Sequence, residues 1–147
     1  MKIAIANDHA AVEYKNLLAK RLQEQGHEVI NFGTDDNASC DYPDYAKKVC
    51  QAIQSGKVEY GVLICGTGVG MSIAANKYKG IRASLCDNPF VAKMTREHNN
   101  SNVLCMGARV IGVDLMYEIS DTYFSTPFSE LESAGKHTRR INKMENL

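Results

Sequence analysis

The stretch Tyr60-Gly61-Val62-Leu63-Ile64-Cys65-Gly66-Thr67-Gly68-Val69-Gly70 decides the fold class of this chain. Its first half is a short apolar run, typical of a buried strand, and the residues after Gly70 indicate the start of a helix. A glycine-rich turn between a strand and a helix exposes backbone N–H groups, which favour anions. Cys65 ends the strand, where a thiolate can act as a base or a nucleophile. The stretch therefore predicts a strand, an anion cradle and a reactive group in one place.

Strand and helix patterns alternate on both sides of this stretch. The sequence predicts strands at residues 2–6, 27–32, 58–65, 81–86 and 103–106. It predicts helices at residues 10–25, 43–55, 71–78, 89–98 and 113–124, followed by a helical tail. Repeated strand–helix units imply an α/β fold, with a five-stranded parallel sheet between two layers of helices in a single domain.

The composition excludes several classes of protein. The 147 residues include 17 basic and 17 acidic side chains, which gives no net charge and argues against a nucleic-acid or membrane surface. No signal-peptide layout is expected at the N-terminus. The five cysteines are odd in number and form no C-x-x-C pair, which argues against a disulfide framework and a structural zinc site. We therefore expect a cytoplasmic protein without a structural zinc site.

The carboxyl ends of the predicted strands carry most of the chemistry. Ligands of parallel sheets bind at this edge. The residues that end there are Asn7-Asp8-His9, Phe32-Gly33-Thr34, Cys65-Gly66-Thr67, Asp87-Asn88 and Gly107-Ala108-Arg109. Asp8 and His9 fit two interpretations, either a helix cap or a pair that moves protons and binds an anion.

Two polar groups lie away from that edge. His98 and Asn99 end a helix that runs back from the sheet, so one chain should hold them far from Cys65. They either form an ordinary helix C-terminus, where the helix dipole favours a basic side chain, or belong to the site of a neighbouring subunit. Lys136-His137-Thr138-Arg139-Arg140 is either a solvated face or a phosphate clamp.

The glycine turn taken by itself fits three further structures. The first is no more than a tight connection between a strand and a helix. The second, a dinucleotide-binding turn, would need a third glycine where Met71 stands, although Asp87 lies where a ribose-binding acid would. The third, a cysteine hydrolase, would need a relay that the adjacent residues Asp8 and His9 cannot easily form.

Several motifs together resemble a known family. They are Asn7-Asp8-His9, Asp41-Tyr42-Pro43, Cys65 to Lys77, Gly80-Ile81-Arg82-Ala83, Arg96-Glu97-His98-Asn99 and Gly107 to Gly112, in that order. The chain resembles the family of type B ribose-5-phosphate isomerase, which galactose-6-phosphate isomerase subunits share. The resemblance implies a Rossmann-like fold, one sugar-phosphate isomerase domain over residues 1–147, and no metal or organic cofactor. It also implies a homodimer with shared sites, which can pair into a tetramer, and a tail (about 127–147) that packs on the partner.

The same resemblance implies a role for each matching residue. Cys65 would be the base that moves a proton between C1 and C2 of D-ribose 5-phosphate, giving D-ribulose 5-phosphate in the pentose phosphate pathway. Asp8, His98 and Thr67 would also be catalytic, with His98 of the adjoining subunit helping to open the sugar ring. The substrate would be bound by Asp8, His9, Tyr42, Gly66, Thr67, Gly68, Val69, Gly70, Asn99, Arg109, Lys136 and Arg140.

One departure from the family pattern leaves the substrate open. Lys136 stands where the family usually has arginine, and lysine cannot form a bidentate fork with phosphate. A six-carbon aldose phosphate, such as allose or galactose 6-phosphate, is therefore an alternative substrate. A sugar-phosphate-binding module without catalysis is a second alternative, although such a module would not need the thiol.

Overall fold

A computed structural model describes residues 1–147 as alternating strands and helices. The strands are β1 (Lys2–Asn7), β2 (Glu28–Asn31), β3 (Tyr60–Cys65), β4 (Ala83–Leu85) and β5 (Val103–Gly107). The helices are α1 (Val12–Glu24), α2 (Tyr42–Gln54), α3 (Val69–Ala75), α4 (Pro89–Asn99), α5 (Val113–Ser125) and α6 (Lys136–Glu145), with a 3-10 turn at His9–Ala11. None of these helices is both long and apolar enough to cross a membrane.

The five strands form one parallel sheet in the order β2-β1-β3-β5-β4. β2 lies on the outer side of β1, whereas β4 and β5 lie on the outer side of β3. The topological switch point, where the direction of strand addition reverses, is therefore between β1 and β3. Asn7 pairs with Ile64 there, so the next residues, Asp8 after β1 and Cys65 at the end of β3, lie at the same edge of the sheet. The topology thus brings two of the predicted site segments together.

Alternate residues of each strand enter two separate cores. One core joins Ile3, Ile5, Val62 and Ile64 to the apolar faces of α1, α4 and α5. The other joins Ala4, Ala6, Leu63 and Cys65 to α2 and α3. A sheet buried on both faces by helices is the predicted three-layer α/β/α architecture, and the five-stranded parallel sheet is confirmed.

β4 is shorter than the sequence predicts, and side chains explain the difference. The prediction began this strand at residue 81, but Arg82 donates its backbone N–H to Asn102 Oδ1 at 2.8 Å. Ala83 likewise donates to Asn76 Oδ1 at 2.8 Å. Because the Asn102 side chain satisfies the Arg82 N–H, the regular pairing of β4 with β5 begins one residue later, at Ala83.

The tail after Pro127 contains α6, which packs against α4 of the same chain. Ala134 and Gly135 precede it in the left-handed region, with φ of 50° and 77°. Near its other end, Arg82 Nη1 contacts Glu145 Oε1 at 2.6 Å. The expected packing of the tail on a partner stays a prediction.

Candidate active site

The glycine turn places one backbone donor against the thiol of Cys65. Cys65 is the last residue of β3 and is only 4% exposed. The Gly68 N–H donates to its Sγ at 3.2 Å, at the point where α3 begins. Gly68 has a φ of 78°, a conformation that glycine adopts without strain and that turns this N–H toward the sulfur. The sulfur of Cys65 is thus a hydrogen-bond acceptor at the carboxyl edge of the sheet.

Close contacts fix the shape of the turn. A Cβ on Gly107 would lie 2.6 Å from the carbonyl carbon of Thr67, so only a glycine at the end of β5 lets the turn pass. Thr67 is exposed, and its Oγ1 accepts the Val69 N–H at 3.3 Å. The backbone of the turn is therefore held against the sheet while the Thr67 side chain faces outward.

Arg109 and Tyr42 flank this turn. The Arg109 N–H donates to the Gly66 carbonyl at 2.9 Å. Its Nη1 would lie 3.4 Å from a Cβ on Gly66, so the guanidinium group covers the start of the turn. The ring of Tyr42 lies close to Gly70, where a Cβ would come within 2.6 Å of Cζ. One cation and one phenol thus border the glycine turn.

Asp8 caps the turn that follows β1, as one of its two interpretations predicts. Its carboxylate accepts the Ala10 N–H at 2.9 Å, and its own N–H donates to the Ile64 carbonyl at 3.3 Å. The cap leaves Asp8 Oδ2 without a protein partner among the hydrogen bonds, so capping and substrate binding are compatible.

His9 has a contact that sequence reasoning missed. The Cys40 N–H donates to His9 Nδ1 at 3.3 Å, and the Cys40 thiol lies 3.8 Å from the same nitrogen. A neutral ring whose Nδ1 accepts a hydrogen bond carries its proton on Nε2. His9 therefore presents an N–H donor on its free side, which suits an anionic or hydroxyl ligand. Cys40 lies in a polar loop without periodicity, so no sequence signal pointed to it.

A second cluster of basic side chains lies at the ends of α4 and α6. The rings of His98 and His137 stack with centroids 4.5 Å apart and planes 26° apart. Burial lowers the pKa of His137, and the nearby charges of His98, Lys136 and Arg140 lower it further. Lys136, Arg140 and His98 are exposed. The cluster is a positive surface that suits an anion such as phosphate.

The two clusters lie at opposite ends of the sheet in one chain. Cys65 is at the carboxyl edge, whereas α4 ends just before β5 begins at the amino edge. The five residues of β5 span about 13 Å at the usual rise of a strand. The structure thus brings together the glycine turn and four predicted side chains: Asp8, His9, Tyr42 and Arg109. The remaining predicted residues lie apart from this group: His98, Asn99, Lys136 and Arg140.

No site for a metal ion is evident from the side chains. No three histidine, cysteine, aspartate or glutamate side chains come together in a group that could hold one. The expectation that the protein uses no metal stays a prediction.

Comparison with known proteins identifies the family. Residues 3–144 match the model of the family described as Ribose/Galactose Isomerase. This chain belongs to the ribose/galactose isomerase family.

Relatives in the ribose/galactose isomerase family match along almost the whole chain. The ribose-5-phosphate isomerase B of Escherichia coli (strain K12) is 44% identical over 140 residues, 95% of this chain and 91% of that protein. The structure of Clostridium thermocellum ribose-5-phosphate isomerase B superposes with a TM-score of 0.95 at 46% identity, covering 99% of this chain and 96% of that one. The ribose 5-phosphate isomerase of Thermotoga maritima gives a TM-score of 0.94 at 51% identity, covering 99% and 98%.

Proposed function

We propose that this protein interconverts D-ribose 5-phosphate and D-ribulose 5-phosphate. The observation that carries the proposal is the Cys65 sulfur, which accepts the Gly68 N–H at 3.2 Å beside Asp8, at the ligand edge of the sheet. Aldose–ketose isomerisation needs one base and preformed donors for the sugar oxygens, and both are present here. Membership of the ribose/galactose isomerase family, and relatives that are ribose-5-phosphate isomerases, support the same reaction.

The chemical step follows from this geometry. The Cys65 thiolate takes the proton from C2 of the open-chain aldose, and the C2–H electron pair forms the C1–C2 double bond. The carbonyl oxygen O1 becomes an oxyanion. Within Gly66 to Gly70, the N–H groups of Gly66, Thr67 and Gly70 have no protein acceptor and stabilise it without reorganising water, whereas those of Gly68 and Val69 are donated to Cys65 and Thr67. Return of the proton to C1, with transfer of the hydroxyl proton from O2 to O1, gives the ketose. The Thr67 hydroxyl, exposed beside the turn, suits this second transfer.

The site is shared between two copies of the chain in this proposal. His98 and Asn99 cannot lie beside Cys65 within one chain, so the acid that opens the ring would be His98 of the partner subunit. Exposed apolar side chains near the ligand edge support a partner there: Val69, Ile73, Leu85, Phe90 and Val110. Three of these, Val69, Leu85 and Val110, border one cavity of about 280 Å³ beside the glycine turn. We infer a homodimer, and pairing of dimers into a tetramer is a further expectation.

The phosphate would be held by basic side chains from both copies. His9 and Arg109 lie at the carboxyl edge of one chain, while Lys136 and Arg140 lie on α6 beside His98 of the other. Binding energy from the phosphate, remote from the reacting carbons, orients the sugar. The five free thiols support a reducing compartment, and we infer a cytoplasmic enzyme of the pentose phosphate pathway.

Replacing Cys65 by alanine tests the role of the base. We expect Cys65→Ala to abolish isomerisation, with a loss of at least about 10³-fold in kcat, while substrate binding by calorimetry changes little. Cys50→Ala is the matched control, because that thiol is fully buried on α2 and has only the Ala75 carbonyl as a hydrogen-bond partner. Near-normal turnover by Cys65→Ala would refute the assignment.

A comparison of three sugars tests the substrate. We expect kcat/KM for ribose 5-phosphate to exceed that for allose 6-phosphate and galactose 6-phosphate. Preference for either six-carbon sugar would favour the alternative isomerase. Binding of all three without turnover would favour a module that only binds sugar phosphates.

A further inference from the structure

The stacked pair of His98 and His137 joins two elements that are distant in sequence. His98 lies in the last turn of α4, and His137 is the second residue of α6. Their ring planes are 26° apart with centroids at 4.5 Å, which is face contact rather than a chance approach of edges. The His98 ring is exposed, while His137 is 9% exposed. The buried ring therefore forms a platform beneath the exposed one.

The platform is anchored by contacts on both sides. The Ser129 N–H donates to the Glu97 carbonyl at 3.1 Å, which ties the segment before α6 to the end of α4. The His137 N–H donates to Ser133 Oγ at 3.4 Å. The Arg82–Glu145 ion pair holds the far end of the same helix. Because α6 is fixed at both ends, His137 has little freedom to move away from His98.

The charges around the platform favour a neutral His137. Lys136 and Arg140 on α6 and His98 on α4 are all basic. The nearest acid along α4, Glu97, is already paired with Lys93 at 3.7 Å, and Glu130 accepts the Thr138 hydroxyl at 2.7 Å. Burial together with these positive neighbours lowers the pKa of His137. A neutral ring can lie under a protonated His98 without repelling it.

We propose that His137 is a positioning residue, which holds the imidazole of His98 in the orientation that meets the sugar ring in the partner's site. The inference rests on the proposed function, in which His98 supplies the acid for ring opening. An exposed histidine at a helix end would otherwise sample several rotamers. A flat neighbour confines the ring to one plane, so the proton is delivered in one direction and less ordering is needed when the substrate binds.

A double-mutant cycle tests this proposal. In the full-length protein, we expect His137→Leu to lower kcat/KM for ribose 5-phosphate by about tenfold, the effect of losing one aromatic contact in a catalytic orientation. In the His98→Asn background, the same substitution should change kcat/KM by less than about twofold, because the ring that it positions is absent. An equal loss in both backgrounds would overturn the proposal.

The matched control separates positioning from simple packing. His137→Phe keeps a flat ring and should retain most of the activity, whereas leucine fills similar space without a flat face. NMR gives a readout without catalysis: the ring protons of His98 should be shifted upfield in the wild type and in His137→Phe, but not in His137→Leu. Equal behaviour of the two variants would refute stacking as the cause. If His137→Leu does not fold, His137→Asn replaces it in the cycle.

The same cycle separates failure of this proposal from failure of the proposed function. If His98→Asn alone leaves kcat/KM unchanged, the ring-opening role of His98 is wrong, and the inference falls with it. If His98→Asn is slow but His137→Leu is not, only the positioning role is wrong.

Discussion

Cys65 differs from the other buried cysteines of this chain in its surroundings. Burial raises the pKa of Cys86 to about 12 and that of Cys50 to about 11, so both thiols stay protonated at neutral pH. Cys86 has only a carbonyl oxygen as a partner, at 3.7 Å from Ser84. Cys65 instead accepts an N–H donor. The Gly68 N–H at the end of β3 thus distinguishes Cys65, the candidate base, from the structural thiols of Cys50 and Cys86.

His9 provides a test of ligand geometry at the scale of one side chain. Its Nδ1 accepts the Cys40 N–H, so Nε2 is the atom left to donate to the substrate. Glutamine places its amide near the position of Nε2, and asparagine places its amide near that of Nδ1. We expect KM for ribose 5-phosphate to rise by less than about threefold in His9→Gln and by about tenfold or more in His9→Asn.

The control for His9 is the Cys40 side chain. Cys40→Ser keeps the backbone N–H that contacts His9 and should leave KM unchanged. If His9→Asn binds substrate better than His9→Gln does, the assigned orientation of the ring is wrong.

Gly107 tests how tightly the glycine turn is packed. A methyl group at this position would overlap the backbone of Thr67 at 2.6 Å. We expect Gly107→Ala to cost about 3 kcal/mol of unfolding free energy, measured by urea denaturation, and to lower kcat through displacement of the turn. Gly112→Ala is the control, because no atom lies within 4 Å of its added methyl group, and its cost should stay below about 1 kcal/mol. Equal costs would contradict the packing argument.

The helices and strands could be predicted well because hydrophobic periodicity identifies them and glycines mark many of their ends. All five strands and the helices between them lie where the sequence predicted, within a few residues at their ends. β4 begins two residues later than predicted, because the Asn102 side chain accepts the Arg82 N–H in place of a strand partner. Such long-range contacts leave no periodic signal in the sequence.

The candidate site was only partly predictable for the same reason. Strand ends in a parallel sheet share one edge, so the grouping of Asp8, Cys65 and Arg109 followed from their order along the chain. Two other contacts could not be predicted in this way: that of Cys40 with His9 and that of His137 with His98. Each joins the end of a strand or helix to a loop or tail, whose position does not follow from strand order.

The packing of α1 against α5 has a charge contact that depends on pH. Arg21 Nε donates to Asp121 Oδ1 at 3.0 Å, and Gln25 donates to the same oxygen at 2.8 Å. The hydrogen bond from Arg21 lowers the pKa of Asp121 below its ordinary 3.8. A lowered carboxyl pKa stabilises the folded state fully above the unfolded value, and the effect is lost as the pH falls through the folded value.

We therefore expect Asp121→Asn to lower the urea midpoint slightly at pH 7, since the pair is partly exposed to solvent. The difference from the wild type should vanish as the pH falls through the lowered pKa of Asp121. Glu28→Gln is the control, because Glu28 forms an exposed pair with Lys2 at 3.5 Å, away from Arg21, and should show no change. A deficit of Asp121→Asn that persists in acid would indicate lost packing instead.

At the scale of the whole molecule, the cluster around Cys65 and the basic cluster around His98 lie at opposite ends of one sheet. A single chain then carries two half-sites and no complete one in the proposed function. Two defective variants should therefore complement each other. After mixing and exchange of subunits, Cys65→Ala and His98→Asn should regain about a quarter of wild-type activity, because half of the dimers are mixed and each has one intact site.

The control for this complementation is a mixture in which both variants carry the defect on the same side. Cys65→Ala mixed with Cys65→Ser should stay inactive, since no intact thiol is present. If the first mixture also stays inactive while mass spectrometry shows mixed dimers, the site is not shared.

The order of the strands affects how readily the sheet can aggregate with other chains during synthesis or at high protein concentration. The two edges of the sheet are its shortest strands, β2 with four residues and β4 with three. Few unpaired backbone groups are therefore offered to a second sheet, which protects against edge-to-edge aggregation. The long central strands, which would aggregate most readily if exposed, are enclosed on every side.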